Sequence, residues 1–114
     1  MQGLIATAAA RHYGVSFPFA KDLVLGDDDT FVLQYEVRMQ QGLQCGGAYL
    51  KVPAASSGLD LGALEPDTPY IVMFGPDKCG TTNKVHFILR HENPVNGEWS
   101  EHHLTAPPLP KDGS

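Results

Sequence analysis

Residues 31–39 alternate apolar and polar side chains: Phe31, Leu33, Tyr35, Val37 and Met39 fall on one parity, Gln34, Glu36 and Arg38 on the other. Successive side chains of an extended chain point to opposite faces, so alternation with period two predicts a half-buried β-strand here. The period recurs at 48–52, where Leu50 and Val52 share one face and Tyr49 and Lys51 the other. Residues 69–74 form an apolar run, and at 85–90 Val85, Phe87 and Leu89 oppose His86, Ile88 and Arg90. Each of these segments reads as a strand.

Between them lie clusters rich in Gly, Pro, Asn, Asp or Ser at 54–59, 65–67, 75–83 and 92–97. Residues of these types turn the chain, by permitting positive φ, fixing φ or bonding their own backbone. Strands spaced this way suit antiparallel pairing, so an all-β domain is expected. At 114 residues the chain supports one core, and with 42% hydrophobic and 18% charged residues it has the composition of a chain that folds. The expected organisation is 1–30 as an N-terminal arm and first strand region, 31–105 as a partial β-sandwich, and 106–114 as a Pro-rich tail or cut end. Residues 3–11 favour helix but lack caps and an amphipathic period, which predicts a frayed or extended arm. Pro107, Pro108 and Pro110 remove the donors that a ladder needs, so the tail is not a strand.

Eight basic and thirteen acidic residues give a net charge of -5, a field that repels phosphate backbones and anionic lipid surfaces. Nucleic acid and direct membrane contact are poor expectations for this span. Asp27, Asp28 and Asp29 read as an exposed acidic turn before a strand rather than a cation site. Residues 1–10 are apolar but lack the basic start of a signal peptide, no run approaches the roughly 18 apolar residues of a membrane-spanning helix, and Lys111-Asp112-Gly113-Ser114 is no retention signal.

Cys45 and Cys79 stand thirty-four positions apart, which excludes the Cys-x-x-Cys spacing of a redox motif or zinc knuckle. They are either a disulfide or two buried thiols. Small loops flank each, where a bridge can form, and a bridge implies an oxidising compartment. The five histidines do not assemble a metal site by spacing: His86 and His91 point to opposite faces of a strand, and the side chains of His102 and His103 diverge. No phosphate-binding glycine loop, serine-nucleophile motif or helix-activated thiol is present, so the chain is not read as an enzyme.

Three stretches carry a family resemblance: Gln44-Cys45-Gly46-Gly47-Ala48-Tyr49-Leu50-Lys51, then Thr68-Pro69-Tyr70-Ile71-Val72-Met73-Phe74-Gly75-Pro76-Asp77-Lys78-Cys79-Gly80, then Lys84-Val85-His86-Phe87-Ile88-Leu89-Arg90-His91. They resemble the calnexin and calreticulin lectin chaperones, with the wording at 93–103 closer to calnexin, over about three quarters of the chain and only the N-terminal part of the family's globular domain. The resemblance implies an antiparallel jelly-roll sandwich of the legume-lectin type, here incomplete. It also implies binding of monoglucosylated high-mannose N-glycans on unfolded glycoproteins in the lumen of the endoplasmic reticulum. By resemblance the saccharide-contacting residues are Tyr49 and Lys51 after the Cys-Gly-Gly, Tyr70 and Met73 of the Tyr-x-x-Met-Phe-Gly segment, Asp77 before the second cysteine, and Glu101.

Sugars offer hydroxyls, which want fixed donors and acceptors, and weakly apolar C–H faces, which want an aromatic ring or a thioether. Tyr49, Tyr70 and Met73 supply faces; Lys51, Asp77 and Glu101 supply polar contacts. Tyr70 and Met73 have opposite parity, so one ligand meets both only if a bulge or turn re-aims one of them. The repeated Pro- and Trp-bearing arm of the family and the second half of its sandwich are missing from this sequence. No oxidoreductase partner is therefore carried over, and no cofactor: calcium belongs to the family, but no ligand for it is assigned in this span. The alternative expectation is a structural or interaction module without a complete sugar site, which binds peptide or self-associates through an uncovered sheet face.

Overall fold

The computed structural model describes residues 2–55 and 58–106, and among these the apolar runs assemble into one antiparallel sheet without an α-helix. Its strands are β1 (Gly46–Gly47), β2 (Leu50–Val52), β3 (Val72–Cys79), β4 (Thr82–Glu92) and β5 (Trp99–His103). They run in the order β1-β3-β4-β5, with β2 also paired to β3. The all-β antiparallel expectation holds.

The hairpin of β3 and β4 is the frame. Cys79 pairs with Thr82, leaving Gly80 and Thr81 as a two-residue loop, with Gly80 at φ 56. Glycine at the first loop position is the pattern of a tight hairpin turn whose twist matches that of the strands. The expected turn at 75–83 is thus far shorter than its composition suggests, and Gly75, Pro76 and Asp77 lie inside β3.

Proline in a strand with neighbours on both sides is unusual, because it withdraws one ladder donor. Here the deficit is met by another part of the chain. Gly47 pairs with Asp77 and Leu50 with Phe74, so Ala48 and Tyr49 pass opposite Pro76 and Gly75 in unbroken register. The Ala48 N–H donates to the Pro76 carbonyl at 3.1 Å. Pro76 has no N–H to return, and the Ala48 carbonyl accepts instead from the Tyr35 hydroxyl at 2.7 Å. Gly75, at φ 148, leaves room for this approach: a Cβ there would run into the Ala48 carbonyl and the Tyr35 hydroxyl.

Tyr35 is one of two half-buried positions in 31–39, together with Met39; that segment forms no strand. The alternation places Tyr35 correctly for inward contact, yet a strand exists only where its backbone pairs, and 31–39 has no ladder among the described residues. It is an extended strap anchored by one hydroxyl and by the edge of the Tyr35 ring against Phe74, with centroids 6.3 Å apart. Residues 2–30 likewise contain no strand. Asp29 closes the acidic turn, accepting from Gly26 N–H at 2.7 Å. Residues 107–114, most of the expected Pro-rich tail, lie outside the described residues.

The strand β5 was not legible. Trp99-Ser100-Glu101-His102-His103 has neither alternation nor high β-propensity, and all five residues are exposed. It is a strand because its backbone completes the edge of β4, from Ile88 opposite His103 to Glu92 opposite Trp99.

Replacing Tyr35 with Phe should orphan the Ala48 carbonyl and lower unfolding stability by about 1–2 kcal/mol. Gly75→Ala should cost more, about 3 kcal/mol, from collision and backbone strain together. Urea denaturation measures both, and a Tyr35→Phe variant as stable as the parent would show that the proline's missing donor needs no replacement.

Candidate functional site

Register sorts the side chains onto two faces. One carries Leu50, Val52, Val72, Phe74, Val85, Phe87 and Leu89, the apolar parity of β2, β3 and β4. The other carries Lys51, Met73, Asp77, His86, Ile88, Arg90, Trp99, Glu101 and His103. Tyr49, opposite Gly75 in the same register, belongs to this second, mixed face. Ile88, only 3% exposed, is its floor, flanked across the strands by Met73 and His103.

Five of the six residues expected at a binding site therefore share one surface by parity alone. Tyr70 joins them by a change of direction. Val52 pairs with Val72, yet its carbonyl accepts from the Ile71 N–H at 2.8 Å, while the Ile71 carbonyl accepts from Arg90 N–H on the other side, also at 2.8 Å. In a regular strand both groups of one residue point the same way. Two residues opposite one, with the backbone turned between them, is a bulge, and it re-aims the preceding side chain. The Tyr70 hydroxyl consequently donates to Glu101 Oε1 at 3.0 Å, on the mixed face. The required irregularity is present at Ile71.

Tyr49 depends on a glycine. A Cβ on Gly47 would fall within the Tyr49 ring, so the ring lies over bare backbone, toward Asp77, the cross-strand partner of Gly47. Burial, the negative charge of Asp77 and a hydrogen bond to its carboxylate push the Tyr49 phenol up to about 12. The same carboxylate is bonded to His86 Nε2 at 2.9 Å through Oδ2.

A parallel arrangement stands further along the sheet. Glu101 accepts from Tyr70 through Oε1 and is bonded to His103 Nε2 through Oε2 at 3.1 Å. The bonds from His103 and Tyr70 hold the Glu101 carboxyl below its ordinary range, while burial and the bond to Glu101 raise the Tyr70 phenol. Each carboxylate is thus tied to one tyrosine and one histidine, and the two imidazoles meet edge to face at 6.5 Å. The histidines were expected only to diverge or oppose. They do, but each then finds a cross-strand partner: His86 with His103 on the mixed face, His91 with His102 on the apolar one, at 4.6 Å. No spacing within a strand shows this, since it depends on the register between β4 and β5.

Lys51 reaches between strand and loop. Its Nζ donates to the Pro66 carbonyl at 2.9 Å and lies 5.3 Å from the Tyr70 ring centre. The loop is held by reciprocal bonds, Thr68 N–H to the Glu65 carbonyl and Glu65 N–H to Thr68 Oγ1. On the far side of Tyr70 the Arg90 guanidinium sits 5.4 Å from the same ring and 5.9 Å from that of Trp99. The result is a row of cation, ring, cation, ring across an open face. A shallow depression of about 350 Å³ between 14–16 and 61–64 shares no residue with it. Among the described residues no three His, Cys, Asp or Glu side chains group together as ligands of one ion would; the row offers hydrogen bonds and ring faces.

Cys45 and Cys79 are disulfide-bonded, at the end of the sheet nearest Tyr49 and Asp77. Known proteins resemble this chain in sequence. The profile of the Calreticulin family matches residues 1–114. The chain is 51% identical to a calnexin homolog of Helianthus tuberosus over 112 residues, 96% of this chain and 21% of that protein. It is 52% identical to calnexin homolog 1 of Arabidopsis thaliana over 93% of its length and 20% of the relative's, and 44% identical to calnexin of Caenorhabditis elegans over 92% and 17%. The chain thus spans about a fifth of the length of the curated relatives it matches. No solved structure gives a significant match.

The Tyr49 environment makes a pH prediction. Its folded value, about 12, lies above the ordinary 10.0, so the contribution to stability is complete below pH 10 and is lost as pH rises through 12. Ultraviolet or NMR titration should find Tyr49 the last tyrosine to ionise, and both Asp77→Asn and Gly47→Ala should bring it back toward 10. An unchanged titration in Gly47→Ala would mean that the glycine does not place the ring.

Proposed function

Since the chain belongs to the calreticulin family, we propose that its mixed face is a saccharide-binding surface, and that it recognises monoglucosylated high-mannose glycans on unfolded glycoproteins as part of a lectin chaperone. The observation that carries this reading is the gathering of Tyr49, Lys51, Tyr70, Met73, Asp77 and Glu101 on one open face, with rings set between fixed donors and acceptors.

Binding, not bond-breaking, is the mechanism. Tyr49, Tyr70 and the Met73 thioether present apolar surface to the C–H face of a sugar ring. The Lys51 ammonium spends one proton on Pro66 and keeps two for hydroxyls. Asp77 and Glu101 accept from hydroxyls on lone pairs that their tyrosine and histidine partners leave free. Those partners fix both carboxylates before ligand arrives, which lowers the ordering entropy that binding must overcome. Membership of the family and a disulfide in the fold support an oxidising address, the lumen of the endoplasmic reticulum.

Calorimetric titration of the chain should show a clear preference for a monoglucosylated over an unglucosylated high-mannose glycan, with Lys51→Ala and Glu101→Ala each weakening binding about tenfold or more. Equal affinity for both glycans would rule the reading out.

A second reading draws on the opposite face, where Phe74, Phe87 and Leu89 stay 41%, 36% and 38% exposed. Contiguous apolar surface of this kind attracts a partner or a second copy. It predicts concentration-dependent self-association in size-exclusion chromatography that Phe87→Lys abolishes. A monomer at every concentration would eliminate self-association through that face.

A further inference from the structure

The loop from β4 to β5 sets the alignment of the edge strand. Glu92 pairs with Trp99, and beyond that pair the Asn93 N–H donates to the Glu98 carbonyl at 2.8 Å. The Gly97 N–H closes the loop by donating to the Asn93 carbonyl at 2.8 Å, with Gly97 at φ 72. Asn-Gly is a common turn dipeptide, and the positive φ accounts for the glycine. The asparagine before it brings a second property, because asparagine is a chemically labile side chain.

The Asn96 carboxamide is folded back along its own chain. Its Oδ1 accepts from the Glu98 N–H at 3.0 Å, an Asx turn that lays the carboxamide over the peptide shared with Gly97, and its Nδ2 donates to Glu98 Oε2 at 2.9 Å. The bond to Oδ1 also draws electrons away from Cγ. Asn96 and Gly97 are both exposed, and a Cβ at Gly97 would meet only Glu92 Oε1, at 3.6 Å, so no bulk shields the Gly97 nitrogen. Attack of that nitrogen on Asn96 Cγ forms a C–N bond and closes a succinimide. The Cγ–Nδ2 bond breaks, and the amide nitrogen leaves as ammonia with the proton that Gly97 gives up. Water then opens either carbonyl of the ring, giving aspartate or isoaspartate; nothing is oxidised or reduced. The chain's other asparagines are less exposed to this reaction. Asn83 lies within β4, opposite Lys78, and Asn93 precedes Pro94, whose nitrogen has no proton to give up.

Either product sets a carboxylate against Glu98, with repulsion where Nδ2 had donated. Isoaspartate also routes the main chain through Cβ, which lengthens the path between Asn93 and Glu98. Their pairing aligns Glu92 with Trp99 and, further along, Arg90 with Glu101.

We propose that Asn96 is a modification site, deamidated by its own chain through the Gly97 nitrogen, and that the isoaspartyl product misaligns β5 and loosens Glu101 from Tyr70. The loop then ages the mixed face whatever that face binds.

The folded chain is incubated at neutral and at alkaline pH, and mass-spectrometric peptide mapping that tells aspartate from isoaspartate follows each asparagine. Conversion at Asn96 should outpace that at Asn83 and Asn93 about tenfold or more, run faster at alkaline pH, and slow about tenfold in Gly97→Ala, whose Cβ crowds the nitrogen. Asn96→Gln, which must close a larger ring, should keep its amide. In the chromatographically separated isoaspartyl form the emission of Trp99, the chain's single tryptophan, should shift. The Tyr70 phenol, raised by burial and by its bond to Glu101, should return toward its ordinary value. Asn96→Asp, which adds the charge without the longer main chain, should move both less. Conversion at Asn96 no faster than at Asn83 would overturn the site. An isoaspartyl form with the parent's Trp99 emission and Tyr70 titration would overturn its coupling to β5.

Discussion

The bond between Cys45 and Cys79 fixes the register of β1 and β2 against β3, and register decides which side chains share a face. Gly46 lies opposite Lys78, and the same alignment continues through Leu50 and Phe74 to Val52 and Val72. A slip of one residue would send Tyr49 and Lys51 to the apolar side and break the row they belong to. Two short strands of two and three residues could not resist such a slip by ladder bonds alone. Closing the intervening loop removes chain entropy from the unfolded state worth about 3–4 kcal/mol, and it does so at the end of the sheet where the pairing is weakest.

The departures from regular strand geometry serve the same surface. Pro76 interrupts the ladder, and Tyr35 answers for the missing donor. Gly75 admits that contact, Gly47 admits the Tyr49 ring, and the bulge at Ile71 delivers Tyr70. Each irregularity would weaken a sheet built only for stability. Here each one places a side chain that a regular strand would aim elsewhere or crowd out.

The polar groups of the mixed face occur as two matching sets, Tyr49 with Asp77 and His86, and Tyr70 with Glu101 and His103. Both sets pin a carboxylate between a phenol and an imidazole. The first lies beside the disulfide, and its carboxylate and imidazole are the more buried; the second lies toward the edge strand, where Lys51 and Arg90 flank the ring. Along such a face a ligand meets fixed acceptors at two places with apolar surface between, a pattern suited to an extended ligand with hydroxyls all round.

The sequence by itself determined the strands around 50–52, 72–74 and 85–90, the parity of Tyr49, Lys51 and Met73, and the need for a distortion before Tyr70 could join them, because a period of two is a property of each strand and can be read along it. Asp77 lay in a stretch whose composition reads as a turn and joined that face only because β3 runs on through Pro76. The motif resemblance placed Glu101 among them. Tertiary structure decided the rest. Alternation at 31–39 describes a face, but pairing needs a neighbour, and that segment became a strap whose one hydroxyl completes β3. Residues 99–103 carry no strand signal, and only the open edge of β4 draws them into the sheet. The partnerships of His86 with His103, of His91 with His102, and of Arg90 with both Tyr70 and Trp99 arise between strands, where register, set by a disulfide and a two-residue hairpin, is a relation between distant parts of the chain that no local pattern encodes.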